Sequence, residues 1–275
     1  MFVSDKLIYL QLQKAASTHI TKLLSNTIGG SQGKKHSSLI FKPHEMFILG
    51  SIRNPWDWYV SLWAHGCRGG GNLHRRLKTG SHLGYRFRSF SIKNPVKSLK
   101  HFFLGIYSSF FRPKDEWRRC YADSGDPLLF RRWLKMILSP KRKYDLCEKY
   151  AESSICSNVG FMTYRYLRIF TIDKKWLYKS RKQHSFDEII DHDNKSNVVN
   201  RFIKCENLEK DFITALFEAG YDIDSKIEKE IFNLSRTNIS RHKPIEVYYD
   251  NETVQLVDKR DKFIIQKHGY SPPVL

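Results

Sequence analysis

The sequence predicts an α/β fold in three layers, a central and mostly parallel sheet flanked by helices. Two strand–loop–helix units stand back to back in the first 65 residues, and a further strand followed by a helix returns near residue 201. Such alternation favours parallel strands with helices packed on the sheet. The chain has 275 residues, 41% of them hydrophobic and 14% aromatic, enough to build a real core and to exclude a wholly disordered chain.

The first unit opens with Leu7-Ile8-Tyr9-Leu10-Gln11-Leu12, a short run rich in strand formers that reads as a buried strand. The loop Gln13-Lys14-Ala15-Ala16-Ser17-Thr18 follows. Ile20, Leu23 and Leu24 then fall at helical spacing until Gly29-Gly30 stops the helix. The second unit opens with Met46 to Ile52 as a core strand. Arg53-Asn54-Pro55 makes the turn, with Asn54 suited to an N-cap and Pro55 to the first helical position, where its missing N–H costs nothing. The helix from Trp56 to His65 runs to Gly66. Near the end of the chain, Arg201 to Cys205 reads as a strand, Asn207 to Ala219 as an amphipathic helix ending at Gly220, and Asn251 to His268 as another ending at Gly269.

The middle differs. The formal net charge is +19, and residues 68–145 hold 19 Lys and Arg against five acidic residues. Gly69-Gly70-Gly71 and Ser124-Gly125-Asp126-Pro127 punctuate the segment as loops, and helices are expected over Leu128 to Leu138 and Met162 to Phe170. Phe102, Phe103, Tyr107, Trp117, Tyr121 and Trp133 are among the aromatics interleaved with the basic charge. One reading is a solvated surface; the other is a landing area for an anionic acceptor, because a surface this basic attracts anions.

Several classes are excluded. No run of roughly 18 apolar residues exists, so no membrane-spanning helix is expected. The N-terminus lacks a basic region followed by a long apolar run, which reads as a cytoplasmic start. Five cysteines with no Cys-x-x-Cys pair argue against both a disulfide framework and a zinc site.

The chemistry is expected at the carboxyl ends of the strands, where open α/β sheets bind ligands. A loop from a strand into a helix offers free backbone N–H groups at the positive end of the helix dipole. Lys14 adds a mobile cation, Ala15 and Ala16 allow close approach, and Ser17 and Thr18 offer hydroxyls. The glycine spacing of a Walker loop is absent. Arg53 stands at the end of the second strand with Ser61 eight residues on, a guanidinium and a hydroxyl suited to one terminal phosphate. Lys14 and Arg53 on two strands suggest a ligand with phosphates at two separate places.

These motifs resemble those of the sulfotransferases that use 3′-phosphoadenosine 5′-phosphosulfate (PAPS). Gln13-Lys14-Ala15-Ala16-Ser17-Thr18 is similar to the family's 5′-phosphosulfate loop, and Arg53-Asn54-Pro55 with Ser61 to its 3′-phosphate motif. Lys204 to Phe212, and Val247 to Tyr270 with its Gly-Tyr end, resemble two later landmarks in the same order. The resemblance implies a P-loop-like sulfotransferase fold, a single sulfotransferase domain over residues 1–275 with a basic, partly irregular acceptor-side insertion at about 68–160. It implies PAPS as donor, no metal, Lys14 as a catalytic cation, and Lys14, Ala15, Ala16, Ser17, Thr18, Arg53 and Ser61 as the donor-binding set. The acceptor hydroxyl would belong to a glycan or another anionic or polyhydroxylated molecule.

Lys35-His36-Ser37-Ser38 is similar to the segment that carries the base in carbohydrate-type members, so His36 is the candidate base, with His44, Glu45 and His65 behind it. The departures are Gln13 for a proline, Ser17 for a glycine, and Trp58 where many members carry a second arginine; Arg236, Arg241 or Lys243 could replace that arginine. Three other readings compete. Basic charge with aromatics fits single-stranded nucleic acid, although no helix-turn-helix, zinc-finger or RNP pattern occurs and Lys14, Arg53 and Ser61 are left unexplained. A catalytically altered relative of the sulfotransferases would keep the fold. A nucleotide kinase would need the Walker lysine and glycines that the loop lacks.

Overall fold

The computed structural model describes residues 1–79, 99, 103, 112–179, 182–235 and 242–275. The first half runs β1 (Phe2–Val3), β2 (Leu7–Leu10), α1 (Ser17–Thr27), β3 (Ser31–Gln32), β4 (Phe47–Ile52), α2 (Pro55–Cys67), α3 (Asn72–Thr79), α4 (Lys114–Arg119) and α5 (Pro127–Leu138). The second runs α6 (Phe161–Phe170), α7 (Trp176–Lys179), α8 (Phe186–Ser196), β5 (Arg201–Lys204), α9 (Leu208–Glu218), α10 (Ser225–Asn233) and α11 (Asn251–His268).

The five strands lie in the order β3-β1-β2-β4-β5. β4 pairs parallel with both β2 and β5, placing Leu10 opposite Gly50 and Ile52 opposite Lys204. β1 pairs antiparallel with β2 and with β3. The sheet is therefore mixed, which corrects the expectation of a mostly parallel one. Only residues 4–6 join β1 to β2. That link suffices for a hairpin, whereas a parallel crossover needs a dozen or more residues. Two-residue strands such as β1 and β3 carry no hydrophobic alternation by which sequence alone could reveal them.

Period-two alternation sorts the strand side chains onto two cores. Ile8, Leu10, Ile48 and Ile52 face one apolar cluster; Leu7, Tyr9, Leu49 and Ile203 face the other. The second cluster is closed by Ile20, Leu23 and Leu24 of α1 and by Phe212, Ala215 and Leu216 of α9. The first is closed by α2, α5, α6 and α11. Helices thus cover both faces, as a three-layer arrangement requires, and each fully buried Leu or Ile contributes about 1.5–3 kcal/mol.

The α2 entry forms as its residues dictate: the Asn54 side chain accepts a hydrogen bond from the Trp56 N–H at 3.0 Å, and Pro55 follows. Gly269 ends α11 at φ 63°, a left-handed conformation in which glycine carries no Cβ penalty.

The basic middle segment is less a surface insertion than its composition suggests. Trp117, Tyr121, Trp133 and Phe130 are buried in the cluster that covers β2 and β4. The Tyr121 ring lies so close to α2 that a Cβ on Gly66 would meet it at 2.4 Å. Arg112 pairs with Asp145 at 3.1 Å in the interior. Of the described aromatics of this segment, Trp117, Tyr121, Phe130 and Trp133 are core side chains, Tyr144 is half-buried and Phe103 is exposed; Phe102, Tyr107, Phe110 and Phe111 lie outside the described residues. Among the described residues, no helix is long and apolar enough to cross a membrane.

Candidate functional site

β2 stops at Leu10, two residues before the apolar run ends, because the chain begins to turn: Lys14 (φ 63°) and Ala16 (φ 51°) are both left-handed. Three side chains hold the carbonyls of this turn. His36 Nδ1 meets the Gln11 oxygen at 2.9 Å, Trp58 Nε1 donates to the Gln13 oxygen at 2.6 Å, and Arg53 Nη1 donates to the Lys14 oxygen at 3.4 Å. With the carbonyls drawn inward, the N–H groups of Ala15, Ala16, Ser17 and Thr18 have no acceptor among the described residues. They lead into α1, whose N-cap residue, Ala16, has no side chain to cap it. Bare donors at a helix start can cradle an anion.

Lys14 Nζ likewise has no hydrogen bond or ion pair among the described residues. Burial, and then the nearby charges of Arg53 and Arg68, lower its pKa from 10.5 to about 8. A half-buried ammonium facing two guanidiniums is an arrangement that a bound anion would relieve.

Arg53 stands at the end of β4, next to β2, so the sheet brings both predicted cations together. Its Nε donates to Asp57 Oδ2 at 2.6 Å. Asp57 also lies 4.0 Å from His242 Nε2. The Arg53 turn is braced from two sides: the Asn54 N–H donates to Glu206 at 2.6 Å and the Asn54 amide to the Ser271 oxygen at 3.0 Å.

Ser61, like Ala15, is buried rather than on the surface. It is 0% exposed within α2, so its hydroxyl faces no solvent. Trp58, in the place of a second arginine, is a buried post for the Lys14 loop. Lys243 donates to the Gly125 oxygen at 2.9 Å; Arg236 and Arg241 lie outside the described residues.

His36 is the candidate base that the fold carries to the loop. A carbonyl can only accept, so the contact with Gln11 requires the proton on Nδ1 and leaves Nε2 with a lone pair. Burial lowers its pKa foremost, so the ring is neutral near pH 7. His65 is also held low, by burial and by Lys14 and Arg68, and its ring lies over Gly70. His44 and Glu45 are exposed beyond the loop.

No protein family, curated protein or solved structure matches the chain. Among the described residues, no group of three or more His, Cys, Asp or Glu side chains could hold a metal ion, and all five cysteines are free thiols.

The sequence reading missed a second group beside His36. Glu148 is paired with Arg165 at 2.7 Å and with Arg168, and the charges of Arg165 and Glu148 both act on His36. These residues sit more than a hundred positions from His36 in regions without a motif, and only the packing of α6 against the sheet layer brings them near. Arg68, just past α2, was also unmarked.

Proposed function

We propose that the protein is a sulfotransferase that moves a sulfuryl group from PAPS to an acceptor hydroxyl. The observation that carries this reading is the Lys14 loop, with its carbonyls tied back, its N–H groups bare and its unpartnered ammonium beside Arg53 and Arg68. These residues fit the 5′ end of such a donor. The 3′ end is less fully furnished, since Arg53 already holds Asp57 and Ser61 is buried.

The donor supplies the sulfuryl group and an anionic leaving phosphate. The loop N–H groups and Lys14 would neutralise the charge that develops on that phosphate, which is the main demand of an in-line transfer. His36 Nε2 would take the acceptor's hydroxyl proton as the new O–S bond forms and the S–O bond to the phosphate breaks. Base catalysis of this kind contributes about 10²–10⁴-fold. Arg53 would bind the second phosphate with its remaining N–H groups.

Thermal unfolding with adenosine 3′,5′-bisphosphate, against 5′-AMP and without metal, tests the donor site. Near 100 times its Kd the bisphosphate should stabilise by about 2.7 kcal/mol. The shift should vanish in Arg53→Ala, and an equal shift with 5′-AMP would refute the reading. His36→Ala should keep the shift and lose transfer of labelled sulfate from PAPS to a panel of glycans. A shift without transfer in the wild type would mark a catalytically altered relative. Of the aromatics that would serve the nucleic-acid reading, Trp117, Tyr121 and Trp133 are inside, whereas Phe103 is exposed.

A further inference from the structure

Next to the proposed base lies a cationic cluster for which neither the donor nor the hydroxyl has a use. The Glu148 carboxylate is shared by Arg165 (2.7 Å) and Arg168, and among the described residues it is the one acid in direct ion-pair contact with these guanidiniums. Arg165 is almost wholly buried, its side chain 2% exposed, with its guanidinium 4.2 Å from the Phe161 ring centre. Three nitrogens find no acceptor among the described residues: Nε and Nη1 of Arg165 and Nε of Arg168. Arg168 is partly exposed and faces Tyr164 and Tyr178 besides Glu148.

Lys174 completes the cluster. Its Nζ donates to the Leu39 oxygen at 3.2 Å, tying the connection between α6 and α7 to the segment that carries His36. Burial, and then Arg168, lower its pKa. The nearby carboxylate of Asp173 acts on His192. Arg165 and Arg168 therefore share one carboxylate, and of the three cations the two with solvent access are Arg168 and Lys174, the latter bonded to the His36 segment.

We infer that Arg168 and Lys174 form a subsite for a carboxylate or sulfate group carried by the acceptor itself, close to the hydroxyl presented to His36. Arg165 and Glu148 are positioning residues: they fix Arg168 and set the local charge. The acceptor class is then an anionic saccharide. This inference rests on the sulfotransferase reading for the role of His36, whereas the subsite can be tested without it.

The test is calorimetric titration of the full chain, with and without adenosine 3′,5′-bisphosphate. The probes are a tetrasaccharide alternating glucuronate with N-acetylglucosamine, a sulfated neutral tetrasaccharide, an uncharged one of equal length, and an oligonucleotide of equal charge. At least one anionic saccharide should bind more tightly than the uncharged one. Lys174→Gln and Arg168→Gln should each weaken it about tenfold, the cost of a lost charge-assisted bond. Arg168→Lys should recover part of the loss.

Bisphosphate binding should be unchanged in every variant, which also shows that each is folded. Unaltered saccharide affinity in both Gln variants, no preference for charge, or tighter binding of the oligonucleotide would overturn the subsite. If the wild type ignored the bisphosphate while the variants still lost the saccharide, the donor reading would fail and the subsite would stand.

Discussion

Lys14 titrates near pH 8 because it is half-buried and faces Arg53 and Arg68. A lysine whose pKa falls on folding binds fewer protons folded than unfolded between about pH 8 and 10.5. The unliganded protein therefore gains stability as pH rises through that window. A bound phosphate reverses the balance by favouring the charged ammonium. Affinity for adenosine 3′,5′-bisphosphate should fall as pH rises above about 8, by up to tenfold per unit for one linked proton. In Lys14→Arg the slope should disappear, because guanidinium stays charged; titration calorimetry between pH 7 and 10 measures it. An unchanged slope in that variant would place the titrating group elsewhere. Lys14 and Arg53 were legible in the sequence because each sits in a contiguous motif whose chemistry follows from a strand end. Arg165, Arg168 and Glu148 were not, since long-range packing alone gives them a common neighbour.

Among the elements, α2 holds most of the site in place. It starts beside Arg53, and one turn in, Trp58 donates to the Gln13 carbonyl from the interior. Trp58→Phe keeps an aromatic ring and orphans that carbonyl, costing about 1–3 kcal/mol. Urea unfolding should show this loss, and bisphosphate affinity should fall with it because the loop loses its anchor. A stability loss with full affinity would show that the loop keeps its shape without the post. The helix was readable from Asn54-Pro55 at its start, and β4 from its apolar run. The role of Trp58 was not, because a substitution for an expected arginine reads as a deficit until its indole nitrogen is given a partner. The antiparallel edge was illegible for a different reason: β1 and β3 are two residues each.

Across the whole molecule, one apolar cluster runs from β2 and β4 through α2 to α5 and α6. The described part of the basic segment should therefore unfold with the sheet. Calorimetry should show a single transition whose calorimetric and van't Hoff enthalpies agree. Trp133→Ala, which empties a fully buried site on α5, should lower that transition by about 3–5 kcal/mol of stability. A second, earlier transition moved only by this variant would show that the segment melts on its own. Charge density had suggested a surface, but a helix can carry Lys and Arg on one side and Trp133 and Leu134 on the other.

The three side chains that grip the Lys14 turn have a last consequence, one of metrology. Arg53 and Trp58 both belong to the α2 entry, and both reach back to the Gln13–Lys14 backbone. On the proposed reading, the interval between the two anion-reading ends would be ruled off by a single rigid rod. Selectivity among nucleotides would then be a matter of gauge length, and a molecule with the same charges set a few ångströms closer together or farther apart would find only one end of the ruler.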